Sequence, residues 1–149
     1  MRYRRATAGD VGALTDLLAE IMTFHGLRPP PDERLAGVLE AAMSQPSHQF
    51  VVAEDDDGRV VGSCALLFSV STWSFGPVCE LQDVIVTEDR RGTGVGRGLL
   101  AAAEGVAREH GCVRLWLTTE AWNLGAHDFY RHRGMDEKTC LYFETDLSD

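Results

Sequence analysis

No apolar run in the sequence approaches the length of a membrane span, and Met1-Arg2-Tyr3-Arg4-Arg5 is too polar to read as a signal peptide. There is no Cys-x-x-Cys pair either. Cys64, Cys79, Cys112 and Cys140 lie far apart, each in an apolar stretch. That spacing argues against zinc or any other metal site, and predicts reduced core thiols in a cytoplasmic protein. Positive charge is in short supply. With 14 Lys and Arg against 23 Asp and Glu, the formal net charge is −9, which disfavours a nucleic-acid partner bound through a broad basic surface. Linkers, repeats and low-complexity tracts are missing. What remains is 149 residues, 44% hydrophobic and 25% charged, the make-up of a single globular domain over 1–149 with an ordinary core.

The periodicity alternates between two kinds of element. Arg2 to Thr7 predicts a short first strand, and Asp10 is placed to cap a helix through Leu14, Leu17, Leu18, Ile21 and Met22. His25-Gly26-Leu27-Arg28-Pro29-Pro30-Pro31 ends that helix, and Asp32 can cap a second one through Leu35, Val38, Leu39 and Met43. Gln49–Glu54 and Arg59–Val70 read as strands joined by Asp55-Asp56-Asp57-Gly58, a hairpin turn. The polar-aromatic stretch Ser71–Gly76 connects to a β-branched strand, Cys79–Val86. Then come a helix ended by Gly111, a strand over Val113–Leu117, a helix over Asn123–His132 closed by Gly134, and an alternating strand over Thr139–Thr145. The order is β-α-α-β-β-β-α-β-α-β. An antiparallel meander followed by βαβ predicts an α/β fold with a mixed sheet.

The chain is organised around the end of its central strand. Arg90-Arg91-Gly92-Thr93-Gly94-Val95-Gly96-Arg97 follows that strand and opens a helix whose apolar face is Leu99, Leu100, Ala103, Val106 and Ala107. Free N–H groups and the positive end of the helix dipole meet glycines that let an anion approach the backbone, and Arg91 and Arg97 add charge. This predicts a phosphate cradle. Gly96-Arg97-Gly98 stands where a Walker loop needs Gly-Lys-Ser/Thr, and the glycine spacing is not that of a dinucleotide fingerprint.

Arg91-Gly92-Thr93-Gly94-Val95-Gly96 instead resembles the Arg/Gln-x-x-Gly-x-Gly/Ala coenzyme A loop of the GNAT superfamily of N-acetyltransferases. One strand later, Asn123-Leu124-Gly125-Ala126-His127-Asp128-Phe129-Tyr130-Arg131-His132-Arg133-Gly134-Met135 is similar to that superfamily's Asn-x-x-Ala-x-x-Phe-Tyr-x-x-x-Gly-Phe run, with Met135 for the final Phe. The order of elements agrees over essentially the whole chain. The resemblance implies acetyl-coenzyme A as donor, a small-molecule or peptide amine as acceptor, and no metal or membrane partner; a homodimer is left open.

The resemblance also implies residue roles. The backbone of Val84, Ile85 and Val86 would pair with the pantetheine arm, and Arg91, Gly92, Thr93, Gly94, Val95, Gly96 and Arg97 would hold the pyrophosphate through main-chain N–H groups. Asn123, Ala126 and Phe129 would line the arm, although Asn123 equally suits a helix cap. Tyr130 stands where the superfamily places the acid that protonates the departing thiolate, a task suited to a phenol that is neutral at physiological pH. Glu80, six residues before Val86, stands where some members carry a catalytic glutamate. Strand alternation puts it on one face with Gln82 and Val84, and puts Asp83 on the other with Leu81 and Ile85. Its apolar neighbours predict a raised pKa, suited to a base, with binding of the acceptor amine or a plain strand-edge charge as the alternatives for Glu80. His25, Trp73, Phe75 and Gln82 complete the expected acceptor side, with a surface histidine and aromatic packing under a loop as the plainer accounts of the first three. A catalytically silent acyl-coenzyme A module, transfer to oxygen and use of a longer acyl group remain alternatives.

Overall fold

The computed structural model describes residues 1–148. It contains two compact units, Met1–Thr118 and Thr119–Asp149. The first holds β1 (Arg2–Arg5), α1 (Val11–Phe24), α2 (Asp32–Met43), β2 (His48–Glu54), β3 (Val60–Ser71), β4 (Gly76–Val86), α3 (Val95–Glu109) and β5 (Arg114–Trp116). The five strands lie in sequence order across one sheet; the first three pairings are antiparallel and β4–β5 is parallel. The expected mixed sheet is formed.

Both faces of the middle strands are covered. Leu14 of α1 and Leu39 of α2 pack with Phe50, Val52 and Ala65 in one buried cluster. Val51 and Ala53, which alternate with those β2 residues, are also buried, and α3 packs against β2, β3 and β4. The α3 stripe Val95, Leu99, Leu100, Ala103, Val106 and Ala107 is buried. Burial of each large aliphatic side chain there contributes about 1.5–3 kcal/mol. Gly98 leaves room for β1, since a Cβ at that position would lie 2.1 Å from Cζ of Tyr3.

Asp10 does not cap α1 with its side chain. Its carboxylate is taken instead by Arg4, whose Nη1 and Nη2 each donate to it over 2.8 Å, and by the Thr7 N–H at 2.7 Å. A bidentate guanidinium outcompetes the helix N-terminus for a carboxylate within reach of both. Arg4 also donates to Glu54 on β2, so β1, β2 and the entry to α1 share one charged knot.

The Asp55–Gly58 turn forms as the sequence predicts, with Asp55 Oδ1 accepting from the Asp57 and Arg59 N–H groups. Ser71–Gly76 is shorter than a loop: Ser71 pairs with Gly76, so β3 and β4 run into a tight hairpin.

The second unit holds α4 (Leu124–His132). Asn123 caps it, its side chain accepting from the Ala126 N–H at 3.3 Å, and Gly134 turns the chain away at φ 75°. The expected strand over 139–145 does not form; those residues lie in no helix or strand, with Leu141, Tyr142 and Phe143 exposed. Alternation records which side chains would suit a pleated surface, and a strand also requires a neighbour for its backbone.

Candidate active site

β4 is paired on one side from Gly76 to Val86, but β5 meets its other side only at Val78, Cys79 and Glu80. From Leu81 to Val86 no strand pairs with that edge among the described residues. Apart from the Val86 carbonyl, which accepts from Arg91, backbone groups on an edge without a strand partner can pair with a ligand. Val84, Ile85 and Val86, the residues expected to act through their main chain, lie in this stretch.

The strand is not regular where the edge opens. Ser63 pairs with Ile85 and Ala65 with Gln82, so β4 carries one residue more than β3 between the two pairings. The excess is a bulge, and Asp83 within it has φ 50°, a left-handed conformation that aspartate tolerates better than most residues. Asp83 therefore does not share a face with Leu81 and Ile85 as uninterrupted alternation would require; those two are buried and Asp83 is exposed.

Desolvation nevertheless pushes the Asp83 carboxyl above the usual carboxylate range, against the opposing pull of His25. The neighbouring protein thus withdraws water from the carboxyl although part of the residue's surface stays accessible. Among the described residues it makes no hydrogen bond or ion pair. Glu80 and Gln82 do share a face, and Gln82 Nε2 donates to Glu80 Oε1 at 3.1 Å. His25 follows the last turn of α1, its ring edge-on to Phe24 at 5.5 Å.

Past Val86 the chain makes a short 3-10 turn and reaches Gly92 at φ 74° and Gly94 at φ 91°. A Cβ added at either glycine would meet nothing within 4 Å, so the left-handed backbone is what selects glycine, and the space beside it is open. Gly94 precedes α3 without capping it by a side chain, and the first helical bond runs from the Gly98 N–H to the Gly94 carbonyl at 3.1 Å. The N–H groups of Val95, Gly96 and Arg97 thus have no carbonyl one turn back. A pyrophosphate fits such a cradle.

Side chains around the cradle brace it. Thr93 Oγ1 donates to the Arg90 carbonyl at 2.6 Å, and Arg90 Nη2 reaches the buried Asp55 at 3.0 Å. Arg97 is exposed on the first turn of α3. Arg91 is engaged elsewhere: Nε donates to the Val86 carbonyl at 3.0 Å and Nη2 to Glu20 on α1 at 3.1 Å.

The remaining expected residues fall in two places. Trp73 and Phe75 sit on the β3–β4 hairpin tip, 87% and 93% exposed. Asn123, Ala126, Phe129 and Tyr130 are together on α4 in the second unit, where the Phe129 and Tyr130 rings meet edge-on at 5.1 Å. Glu20 and the bulge at Asp83 escaped the sequence reading. Glu20 is one of two acids on an amphipathic helix, with Asp16, and nothing local marks it. All four cysteines are free thiols, and burial pushes those of Cys64 and Cys79 up to about 12, too high for a resting nucleophile. Among the described residues, no helix is long and apolar enough to cross a membrane.

Comparison with known proteins identifies a family. A model of the Acetyltransferase (GNAT) family matches residues 12–135. The thialysine N-epsilon-acetyltransferase of Bos taurus is 29% identical over 95% of this chain and 91% of its own length. The uncharacterised N-acetyltransferase YjgM of Escherichia coli K12 is 31% identical over 89% of this chain and 80% of its own. A crystal structure of a probable acetyltransferase superposes with a TM-score of 0.88 at 28% identity, covering 100% of this chain and 99% of that one.

Proposed function

Because the chain belongs to the Acetyltransferase (GNAT) family, we propose that it transfers the acetyl group of acetyl-coenzyme A to a primary amine, by direct attack within a ternary complex and as a single domain in the cytoplasm. The observation that carries the reading is the unpaired edge of β4 leading, through one 3-10 turn, to the glycine-lined start of α3, which no side chain caps. The edge offers hydrogen bonds to an amide-bearing arm, and the helix start offers them to a diphosphate. Acetyl-coenzyme A has both.

In this reading the N–H groups from Gly92 to Arg97 hold the pyrophosphate, and Val84–Val86 hold the arm while Asn123, Ala126 and Phe129 pack along it. Acetyl-coenzyme A supplies the thioester. A backbone N–H of the β4 edge polarises its carbonyl, and Glu80 accepts the proton that the ammonium must lose before nitrogen can attack. The C–N bond forms as the C–S bond breaks; Tyr130 gives its phenolic proton to the leaving sulfur, and the proton shed by the new amide nitrogen returns through water to the phenolate. His25, Gln82, Trp73 and Phe75 flank the acceptor.

Asp83 has a separate claim on the acceptor. A desolvated carboxylate without a hydrogen bond or ion pair is stabilised by any cation that arrives, and a protonated amine is one. We therefore assign Asp83 to binding the acceptor's ammonium and Glu80 to the proton. The thialysine enzyme among the relatives makes an alkylamine of amino-acid size the first acceptor to test.

The test combines two measurements. Calorimetry should show acetyl-coenzyme A binding, and a thiol-release assay over thialysine, polyamines, aminoglycosides and peptide N-termini should show at least one amine turned over. Binding without turnover of any amine would favour a silent acyl-coenzyme A module. No binding would remove the donor assignment.

A further inference from the structure

Arg91 opens the glycine turn, yet its guanidinium is committed to three groups outside that turn. It donates to the carbonyl of Val86, the last residue of β4, and to the carboxylate of Glu20, and its Cζ lies 5.7 Å from the centre of the Phe24 ring. Glu20 and Phe24 are four residues apart on α1 and so share a face. The planar fork of arginine suits this: one edge meets a carbonyl and a carboxylate while a face meets an aromatic ring. The side chain thereby clamps the end of β4 to α1 immediately before Gly92.

We propose that Arg91 is a positioning residue for the cradle rather than a ligand of the phosphates, and that Glu20 of α1 acts on the cradle through it. The proposal rests on the acetyl-coenzyme A reading. Gly92 and Gly94 are held at positive φ with open space beside them. Glycines so placed have many other conformations within reach, and each lowers the population of the binding-competent turn. Restraining the residue before Gly92 raises that population. The clamp is half-exposed, so its contribution to global stability is small and its effect falls on affinity.

The sign of the effect separates this from the simpler electrostatic view. If Glu20 were only a negative charge near an anion site, removing it would tighten binding of acetyl-coenzyme A. If it positions Arg91, removing it loosens the turn and weakens binding. Glu20→Ala and Arg91→Ala should each raise the dissociation constant of acetyl-coenzyme A by roughly three- to tenfold, with Tm nearly unchanged. The double variant should resemble either single one, because both remove the same clamp. Glu20→Gln keeps an oxygen for the Arg91 Nη2 and should restore most of the affinity.

Tighter or unchanged binding in Glu20→Ala, or additive losses in the double variant, would overturn the proposal and make Arg91 a direct phosphate ligand. A second readout needs no ligand. Amide hydrogen exchange at Gly92–Val95 should be faster in Glu20→Ala than in the wild type, and equal rates would also overturn the clamp. Failure of the wild type to bind acetyl-coenzyme A would instead strike the donor assignment, leaving the exchange comparison to decide the clamp.

Discussion

Gly62 of β3 lies so close to Ile85 of β4 that a Cβ built on it would stand 2.9 Å from the Ile85 carbonyl oxygen. The neighbour is backbone, which cannot swing aside as a side chain can. Gly62 also pairs with Val86, the last residue of the open edge. Glycine is thus required by a close approach of two strands at the head of the proposed donor site.

Gly62→Ala is expected to destabilise the fold by about 1–3 kcal/mol, as overpacking does. It should also weaken acetyl-coenzyme A binding, because relief of the clash displaces the Ile85–Val86 backbone. Urea unfolding and calorimetry on the same variant check both, and a stable variant that binds normally would contradict the close approach.

Gly94→Val places a β-branched side chain where φ is 91°. Valine strongly disfavours that region, so the turn must change and its N–H groups lose their alignment. Acetyl-coenzyme A binding is expected to fall below detection by calorimetry, while far-ultraviolet circular dichroism keeps the native shape. Unchanged affinity would remove the turn from the donor site.

Asp83→Asn tests a strained acid in two ways. Desolvation raises the folded pKa of this acid above its unfolded value. The folded state therefore favours the protonated form, and ionisation costs stability as pH rises from the unfolded pKa through the folded one. Asparagine removes that cost and tolerates positive φ, so Tm should rise at neutral pH and the gain should vanish in acid. At the same time the Michaelis constant for a cationic acceptor should increase by roughly tenfold or more, with that for acetyl-coenzyme A unmoved. A variant with both constants unmoved would leave Asp83 as a feature of the bulge alone.

Asp10 has the opposite linkage. Hydrogen bonds from Arg4, helped by Thr7, hold its carboxyl well below the ordinary carboxylate range in spite of burial. Its contribution to stability is complete above the unfolded pKa and is lost as pH falls below it. Asp10→Asn should cost about 1–3 kcal/mol at pH 7, because Arg4 loses a charge-assisted bidentate partner while keeping Glu54. The difference from wild type should shrink in acid, as denaturant titrations at pH 7 and pH 3 would show.

Tyr130→Phe keeps the ring on α4 and removes the proton. Turnover of a confirmed acceptor should drop by roughly ten- to ten-thousandfold with little change in acetyl-coenzyme A affinity. Equal turnover would reduce Tyr130 to packing.

The sequence shows most clearly what depends on neighbours along the chain. The 3.6-residue stripe from Leu99 to Ala107, the Asp55–Gly58 turn and the glycine-rich start of α3 are all local, and each forms where the spacing predicts. Features that depend on a partner strand or a distant side chain are hidden. Alternation along β4 holds for Glu80 and Gln82 and fails at Asp83, since a bulge is defined by the residue count of β3 opposite. Asp10 has the look of a helix cap until Arg4 is brought beside it. Leu141 and Phe143 alternate like a strand but take part in no strand pairing among the described residues.

The left-handed turn at Asp83 has a bearing on solubility as well as chemistry. A sheet edge with free backbone groups ordinarily recruits another polypeptide, and a flat apolar one is an aggregation site. The edge from Leu81 to Val86 is interrupted by a residue whose backbone an extended peptide cannot follow in register, and which carries a carboxylate. A flexible small molecule can follow that irregular line, because its donors and acceptors are not tied to the pleat. The irregularity thus disfavours pairing with the strands of other proteins at the edge proposed to take the donor's arm.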